Sequence, residues 1–281
     1  MPELPEVETI AKGIAPGLIA RVFTGAVPAR PSVTHEPASW KAFEKKLAGR
    51  RVLNVRRRAK LCIIDLGPRP GIDDDPDAHL VFHLKMTGRL FINDPAKPKN
   101  KHVRLVLPMD DGQALFFQDM RRFGSCRLLT QAELAAWPFY ATLGPEPLEI
   151  EPEDFDRILE RRKGRVKALL LNQSVIAGIG NIYADEALFL AGIRPGADAQ
   201  TLSSGKRRKL MRAIHHVLSA ALAAGGSTIR DYRTAEGLEG AFQYDFNAYG
   251  RAGLPCPRCG AAMVSAKIAA RTSTFCPNCQ E

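Results

Sequence analysis

Hydrophobic positions in the first half of the chain follow two different periods. At the N-terminus they recur at helical spacing, at Val7, Ile10, Ile14 and Leu18. This spacing predicts a helix over residues 5–19. From about residue 50 to 130 the pattern changes to short apolar runs separated by clusters of glycine, proline, asparagine and aspartate, which is typical of strands. The predicted strands are Arg51–Val55, Leu61–Leu66, His79–Leu84, Val103–Leu107, Ala114–Phe117 and Cys126–Leu129.

The second half of the chain has a helical period. Cap-like starts and helical spacing predict four helices, over Asp154–Arg162, Val166–Leu171, Tyr183–Leu190 and Ser203–Ala224. The two-proline segment Leu143–Leu148 is predicted to be a rigid linker at a domain boundary. Residues 227–250 are polar and contain glycine, so we predict a mobile loop there. Two further loops are predicted, the acidic Asp73–Asp77 and the basic Pro95–Lys101.

These patterns predict an α+β protein with two main domains. The predicted divisions are a β-rich domain over residues 1–140, a helical domain over 152–225, a connector over 226–250 and a metal module over 251–281. A length of 281 residues is enough for two domains that each have a core.

Composition and charge narrow the class of protein. The apolar fraction of 45% and the charged fraction of 25% are typical of a soluble globular protein. The net charge of +10 suggests a polyanionic partner, with a generally basic surface as the alternative. The sequence has neither a signal-peptide pattern in its first 25 residues nor an apolar run long enough to span a membrane. We therefore expect a cytoplasmic or nucleoid-associated protein without a membrane partner.

Four of the six cysteines form two CxxC pairs near the C-terminus. Cys256 and Cys259 are separated from Cys276 and Cys279 by 16 residues, which is the spacing of a four-thiolate zinc ribbon. Four protein ligands leave no open coordination position, so the zinc is expected to be structural. The two remaining cysteines, Cys62 and Cys126, lie in apolar strands and are expected to be buried.

The residues between the two cysteine pairs are basic. Lys267–Ser273 is expected to form the tip of a hairpin that the zinc holds. Such a tip can enter a groove of DNA, and a solvated turn is the alternative.

The N-terminus carries the candidate catalytic chemistry. Removal of Met1 would expose the secondary amine of Pro2, which can attack an aldehyde-level carbon and form an iminium ion. Glu3 is placed to exchange protons beside that amine. Glu6 lies one helical turn further on. It either orients the site or favours the helix start, as acidic residues in a first turn do.

Several motifs resemble those of bacterial formamidopyrimidine-DNA glycosylases, in the same order and over essentially the whole chain. They are Met1–Thr9, Arg57–Lys60, His83–Gly88, Arg121–Gly124, Leu143–Leu148, Gly178–Ala184 and the terminal zinc ribbon. The resemblance implies an N-terminal β-sandwich flanked by helices and a helical domain with a helix–two-turn–helix motif. It also implies a monomer that cuts damaged purines out of double-stranded DNA without a nucleotide cofactor.

The resemblance assigns roles to four catalytic residues. Pro2 corresponds to the Schiff-base nucleophile and Glu3 to the acid that assists opening of the sugar ring. Lys60 corresponds to the active-site lysine, which contacts phosphate or base and donates a proton in β-elimination. Arg271 lies five residues before Cys276 and corresponds to the arginine that grips the phosphates around the lesion and is linked to δ-elimination.

The resemblance also implies a set of DNA contacts. Met86, Arg121 and Phe123 correspond to the trio that fills the space left by a flipped base. Residues 227–245 correspond to a lesion-capping loop, whose presence favours oxidised purines. The expected backbone-phosphate contacts are His83, His102, Arg122, Lys163, Lys167 and Asn181.

Three other functions remain open from the residues. An endonuclease VIII-like enzyme of the same superfamily would prefer oxidised pyrimidines, although Leu4 favours the purine branch. A zinc-ribbon protein that binds DNA without catalysis would be expected if Pro2 or Glu3 were missing. A metal-dependent nuclease would need clustered carboxylates or an open metal site, and the sequence shows neither.

Overall fold

The computed structural model describes residues 1–28, 33–68, 76–96, 100–229 and 231–281. Residues 73–75 and 97–99 of the two predicted loops lie outside these ranges. The chain forms two compact units. Unit 1 contains residues 1–141 and 225–240, and unit 2 contains residues 142–224 and 241–281.

The described residues form helices and strands in both units. The helices are α1 (Leu4–Leu18), α2 (Trp40–Leu47), α3 (Gln131–Ala136), α4 (Pro138–Ala141), α5 (Pro152–Glu160), α6 (Val166–Leu171), α7 (Asn181–Ala191) and α8 (Ser204–Ala223), with short 3-10 helices at Ala199–Thr201 and Phe242–Asp245. The strands are β1 (Val27–Pro28), β2 (Thr34–Glu36), β3 (Arg51–Arg58), β4 (Leu61–Gly67), β5 (Ala78–His83), β6 (Gly88–Asn93), β7 (Val103–Pro108), β8 (Ala114–Asp119), β9 (Ser125–Thr130), β10 (Val264–Ile268) and β11 (Arg271–Phe275).

Unit 1 is built on two sheets that share one core. The strand order is β2-β9-β5-β4-β3 in the first sheet and β1-β7-β8-β6 in the second. Side chains of both sheets meet in the core, where the rings of Phe82 and Phe117 lie 5.4 Å apart. The predicted β-sandwich is therefore confirmed. Cys62 and Cys126 are fully buried in this core, as expected for small apolar residues.

The helix predicted at the N-terminus is α1. Its apolar stripe, Val7, Ile10, Ile14 and Leu18, is fully buried in the core of unit 1. Glu3 is the N-cap residue, and Pro5 occupies the first turn, where proline costs no hydrogen bond. Burial of this stripe attaches the N-terminus of the chain to the sandwich.

Strand β6 was not predicted. It runs from Gly88 to Asn93 and pairs with β8. Gly88 has no room for a side chain, because a Cβ there would lie 2.4 Å from the carbonyl oxygen of Leu84. The sequence did not indicate this strand because the run is short, begins with a glycine and pairs with β8, which is distant in the sequence.

Unit 2 contains the predicted helices and the zinc ribbon. Observed helices α5, α6, α7 and α8 match the four predicted ones to within a few residues. The two-proline segment 143–148 packs within this unit, because Gly144 donates to the carbonyl of Gln173 and Ala177 donates to that of Pro145. Strands β10 and β11 form a two-stranded sheet at the C-terminus.

Residues 227–250, for which a mobile loop was predicted, make contacts in both units in their described part. The segment is divided, with residues up to 240 in unit 1 and those from 241 in unit 2. Its described part is hydrogen-bonded in both units, for example from Ser227 to Glu6 in unit 1 and from Ala248 to Glu186 in unit 2. The polar composition of this segment did not indicate such packing, because its partners, Glu6 and Glu186, are distant in the sequence.

Among the described residues, no helix has the length and apolar character needed to cross a bilayer.

Candidate active site and zinc ribbon

The start of α1 holds the candidate catalytic residues in a buried position. Pro2 is buried and Glu3 is only 2% exposed. The main-chain nitrogen of Glu3 donates to Oε2 of Glu6 at 2.8 Å. A carboxylate at this position satisfies one of the unpaired N–H groups of the helix start. Pro2 and Glu3 are therefore held in place by the cap of α1.

Glu6 also binds residues 225–240, the segment of unit 1 that lies between the two parts of unit 2 in the sequence. Its Oε1 accepts hydrogen bonds from the main-chain nitrogen of Ser227 at 2.8 Å and from the Ser227 hydroxyl at 3.0 Å. Gly226 lies against the same carboxylate with a φ of +82°. Glu6 therefore caps the helix, which is one of the two roles considered for it, and also binds the segment 225–240.

Tyr232 strengthens the attachment of this segment to unit 1. Its hydroxyl donates to the carbonyl oxygen of Gly225 at 3.0 Å. Burial, with the nearby negative charge of Glu6, raises the pKa of Tyr232 above its ordinary value. The neutral phenol therefore acts as a permanent donor, and its ring packs against the core of unit 1.

Lys60 occupies the two-residue turn between β3 and β4. The preceding residue, Ala59, has a φ of +55°, and Arg58 pairs with Leu61 across the turn. Lys60 is only 7% exposed although it lies in a turn. This placement differs from that of a strand-end lysine in solvent.

His83, one of the expected phosphate contacts, is buried. It is 8% exposed, its ring lies 5.8 Å from that of Phe139, and its Nδ1 accepts from the main-chain nitrogen of Lys85. Burial, with the positive charges of Lys85 and Lys60, lowers the pKa of His83 to about 3. The imidazole is therefore neutral near pH 7.

Two exposed loop tips carry the candidate base-stack residues. Met86 is 39% exposed and Phe123 is 55% exposed, and the guanidinium of Arg121 lies 4.9 Å from the Phe123 ring centroid. Large side chains exposed to this degree are not part of the core. The alternative that Met86 and Phe123 are core strand residues is therefore excluded.

Asp119, which sequence reasoning missed, ties these two tips together. It is 1% exposed and accepts hydrogen bonds from the Thr87 hydroxyl at 2.5 Å, from the Arg121 nitrogen at 3.2 Å and from the Gly124 nitrogen at 2.7 Å. A buried carboxylate needs such donors. A single aspartate at the end of a strand gives no sequence signal of this kind, because its partners belong to two separate turns.

The remaining candidates of unit 1 lie near the same tips. The carbonyl oxygen of His102 accepts from the Asp119 nitrogen at 2.9 Å, and the His102 side chain is half-buried. Arg122 is exposed and has a φ of +61°. Both residues keep surface that a ligand can reach.

The side chain of Lys167, another expected phosphate contact, is enclosed within unit 2. Its side chain is 0% exposed, and Nζ lies 2.6 Å from Oδ1 of Asp185 and 2.7 Å from the hydroxyl of Ser273. Burial raises the pKa of Asp185 to about 6, although the Lys167 ammonium acts in the opposite direction. Lys167 therefore joins α6, α7 and β11 inside unit 2.

Asn181 and Lys163 lie at the surface of unit 2. The Asn181 side chain donates from Nδ2 to the carbonyl oxygen of Thr272 at 3.1 Å, which places it beside the zinc hairpin. Gln173, missed by sequence reasoning, closes the loop before α7, since it accepts from Gly178 and donates to Ile179. Lys163 lies in an exposed turn after α5.

The four cysteines of the ribbon converge as the spacing predicted. The Sγ atoms of Cys256, Cys259, Cys276 and Cys279 all lie within 4.8 Å of one another. The Cys256–Cys279 and Cys259–Cys276 separations are 3.9 and 3.5 Å, close to the edge of about 3.8 Å in a tetrahedron with Zn–S bonds of about 2.3 Å. The donor set and its geometry fit one structural zinc ion, which confirms the predicted cofactor.

The hairpin tip of the ribbon presents Arg271. Ala269 and Ala270 form a two-residue turn with φ values of +50° and +57°, and Arg271 pairs with Ile268 directly after it. Arg271 is exposed. The turn is of the tight type in which both central residues take positive φ, and it directs a cationic residue away from the core.

Fold and site together define a class of protein: a β-sandwich unit with a buried acidic helix cap, joined to a helical unit that ends in a zinc ribbon. Family models match most of the chain. The formamidopyrimidine-DNA glycosylase N-terminal domain matches residues 1–126, the formamidopyrimidine-DNA glycosylase H2TH domain matches 143–233, and the zinc finger found in FPG and IleRS matches 253–281. The chain belongs to the formamidopyrimidine-DNA glycosylase family.

Relatives agree over the full length. The formamidopyrimidine-DNA glycosylase of Solibacter usitatus is 42% identical and that of Nitratidesulfovibrio vulgaris is 39% identical, with 100% of both chains covered in each comparison. Among solved structures, the Lactococcus lactis Fpg in complex with abasic-site DNA has a TM-score of 0.89 at 30% identity, with 99% of both chains covered. MutM in complex with DNA containing carbocyclic 8-oxo-G has a TM-score of 0.88 at 32% identity, with 100% of both chains covered.

Proposed function

We propose that the protein is a bifunctional DNA glycosylase and abasic-site lyase that excises 8-oxoguanine and formamidopyrimidines from duplex DNA. The observation that carries the proposal is the buried helix cap, in which Pro2 and Glu3 precede α1 and Glu6 binds the Glu3 nitrogen at 2.8 Å. Full-length relatives with glycosylase names support it, as do neighbours solved with abasic-site and 8-oxo-G DNA.

Pro2 supplies the nucleophile once Met1 has been removed. Its unprotonated ring nitrogen attacks C1′ of the damaged nucleotide, the bond from C1′ to the base breaks with its electron pair, and the proton lost from the attacking nitrogen neutralises the departing base. The C1′–O4′ bond then opens as O4′ takes a proton from Glu3, and the nitrogen lone pair forms the iminium. Glu3 suits this step because the helix cap fixes its position beside Pro2.

Strand cleavage follows from the iminium. The iminium makes a C2′ proton acidic, and loss of that proton breaks the C3′–O3′ bond in β-elimination. Lys60 donates a proton in this step, and Arg271 binds the neighbouring phosphates and assists δ-elimination. The zinc ion supplies no chemistry of its own, since four thiolates complete its coordination, and the ribbon fixes the hairpin that carries Arg271.

DNA binding uses exposed residues of both units. Met86, Arg121 and Phe123 enter the stack when the damaged nucleotide is flipped, at an unstacking cost of a few kcal/mol. Of the proposed phosphate contacts, His102, Arg122, Lys163 and Asn181 are exposed or half-buried, whereas His83 and Lys167 are buried in the structure. We propose residues 1–140 as the catalytic domain, 152–225 as the DNA-binding domain and 251–281 as the ribbon, in a monomer that acts in the cytoplasm.

Borohydride trapping tests the proposal directly. The purified protein is incubated with an 8-oxoguanine:cytosine duplex and borohydride, and any covalent adduct is mapped by mass spectrometry. The expected result is one adduct on Pro2 of a chain that has lost Met1. A matched duplex with undamaged guanine is the control and should give none.

Two other results would contradict parts of the proposal. An adduct with a thymine-glycol duplex and none with 8-oxoguanine would assign the protein to oxidised pyrimidines. Binding without an adduct on any duplex of the lesion panel would indicate a protein without catalysis.

A further inference from the structure

The turn that carries Lys60 is held by a side chain from the strand before it. Arg57 donates from Nε to Oε2 of Glu8 at 2.9 Å and from a terminal nitrogen to the carbonyl oxygen of Ala59 at 3.1 Å. The Arg57 side chain is only 8% exposed. One guanidinium therefore bonds a carboxylate on α1 and the backbone of the turn at the same time.

The turn needs such support because its backbone is strained. Ala59 has a φ of +55° in a two-residue connection, and this left-handed conformation is unfavourable for a residue other than glycine. Strain of this kind persists only where surrounding contacts maintain it. The bond to the Ala59 carbonyl is a contact of this type, and it lies one residue before Lys60.

Lys60 depends on the conformation of this turn. It is 7% exposed, so its side chain is confined rather than free to sample solvent. Its charge acts on the buried ring of His83, whose pKa it helps to lower. A change in the turn backbone would therefore move a confined ammonium group.

The other end of the Arg57 contact lies on the helix that carries the proposed nucleophile. Glu8 is in the second turn of α1, and Glu3 is the N-cap of the same helix. The second ionic partner of Glu8 is Lys12, which is 74% exposed and 3.3 Å away. Exposed pairs of that kind contribute little, so Arg57 is the partner that links α1 to the turn.

We propose that Arg57 is a positioning residue, which holds Lys60 in register with Pro2 and Glu3 through its bonds to Glu8 and to the Ala59 carbonyl. The inference rests on the proposed function, since it concerns the same site. The fork geometry of the guanidinium is required, because a lysine ammonium is a point charge that does not bond both partners in this arrangement. A direct phosphate contact does not account for Arg57, because its side chain is buried.

Arg56, the residue before Arg57, offers a matched control. It lies on β3 beside Arg57 and forms an ion pair with Asp65 of the neighbouring strand β4 at 2.7 Å. Arg56→Ala removes the same charge and one ion pair. Any loss specific to Arg57 is therefore separate from the loss of a cation on β3.

The experiment measures strand cleavage by β-elimination on a duplex with an abasic site, under single-turnover conditions with saturating enzyme, together with the Kd for that duplex and the melting temperature. We expect Arg57→Ala to lower the cleavage rate about tenfold or more, as misplacement of a catalytic group by about 1 Å does. The Kd should stay within about twofold because the residue is buried. Arg57→Lys should give an intermediate rate, and Arg56→Ala should stay close to wild type.

A double-mutant cycle with Lys60 separates positioning from general destabilisation. In a Lys60→Met background, Arg57→Ala should cost less than about twofold, because the group that it positions is gone. If Arg57→Ala does not fold, Arg57→Lys and Glu8→Gln take its place in the same cycle.

Two outcomes overturn the inference. One is an Arg57 variant as active as Arg56→Ala, and the other is an equal loss with and without Lys60. Failure of the proposed function is distinguishable, because the wild-type protein would then form no Pro2 adduct with borohydride.

Discussion

Oδ2 of Asp119 lies 2.7 Å from the main-chain nitrogen of Gly124. This bond closes the 120–124 turn, and the other oxygen of the same carboxylate binds the Thr87 hydroxyl in the neighbouring turn. Gly124 has no space for a side chain, because a Cβ there would lie 2.7 Å from the Phe117 ring. One buried carboxylate therefore determines the conformation of two exposed tips.

Replacement of Asp119 by asparagine should loosen both tips. The amide can donate where the carboxylate accepts, so at least one main-chain N–H loses its partner, at a cost of about 1–3 kcal/mol. We expect the free energy of unfolding to fall by that amount and discrimination between 8-oxoguanine and guanine duplexes to weaken. Urea unfolding and competitive binding measure the two effects. Unchanged discrimination would show that the function of the two tips does not depend on the Asp119 carboxylate.

Replacement by methionine should lower the free energy of unfolding at one lysine of unit 2 and leave it nearly unchanged at another. Lys167→Met leaves Asp185 buried without its cation, and breaking a buried pair in this way costs about 3–5 kcal/mol. Lys163→Met affects an exposed residue, so the free energy of unfolding of that variant should differ from wild type by less than about 0.5 kcal/mol.

The salt dependence of DNA binding provides a second test of the same two variants. Lys163→Met should reduce the slope of log K against log salt by about 0.9, the contribution of one phosphate contact. Folded Lys167→Met, assayed at low temperature, should keep the wild-type slope. A reduced slope in Lys167→Met would contradict its assignment as an internal residue.

His83 should make unit 1 less stable in acid. Burial holds its pKa at about 3 in the folded chain, against 6.5 for an ordinary histidine. Between these values the unfolded chain binds the proton and the folded chain does not, so the free energy of unfolding decreases as the pH falls. The slope is at most about 1.4 kcal/mol per pH unit.

His83→Asn removes this titration and keeps an acceptor near the position of Nδ1. The difference in unfolding free energy between wild type and variant, measured in urea, should therefore shift against the wild type as the pH falls from 6.5. Parallel pH profiles for the two proteins would contradict the assignment of a neutral, buried ring.

The hairpin tip of the ribbon should accept a more favourable turn sequence. Ala269 and Ala270 both have positive φ, and Asn-Gly is the pair preferred in such turns. The double replacement Ala269→Asn with Ala270→Gly should stabilise the ribbon by roughly 1–2 kcal/mol. Slower loss of zinc to a chelator measures the gain. Ala266→Gly, in the adjoining strand β10, should have the opposite effect.

Removal of zinc should unfold the ribbon and abolish DNA cleavage. The four thiolates are held together by the metal, and the ribbon carries Arg271 and the Thr272 carbonyl that Asn181 binds. We expect one zinc per chain in the wild type and none in Cys279→Ser. Cys126→Ala, which changes a buried core cysteine, should keep its zinc. Full activity of a zinc-free chain would contradict a structural role for the metal.

The features that the sequence alone determined are local or periodic. The apolar stripe of α1, the strand runs and the two CxxC pairs each need only neighbouring residues, because backbone geometry converts their spacing into a shared face or a shared ligand. The motifs that carried the family resemblance, from Met1–Thr9 to the terminal zinc ribbon, are local in the same way. These predictions agree with the sandwich, the helices and the four-cysteine cluster.

Tertiary structure decided which charged residues are buried. Lys167 and Lys163 are indistinguishable as residue types, and only the packing of α6 against α7 and β11 encloses the first beside Asp185. Asp119 acquired its role in the same way, from two turns that the sheets bring to it. Burial of a charge depends on partners that arrive from distant parts of the chain, and one sequence read along its length does not contain that information.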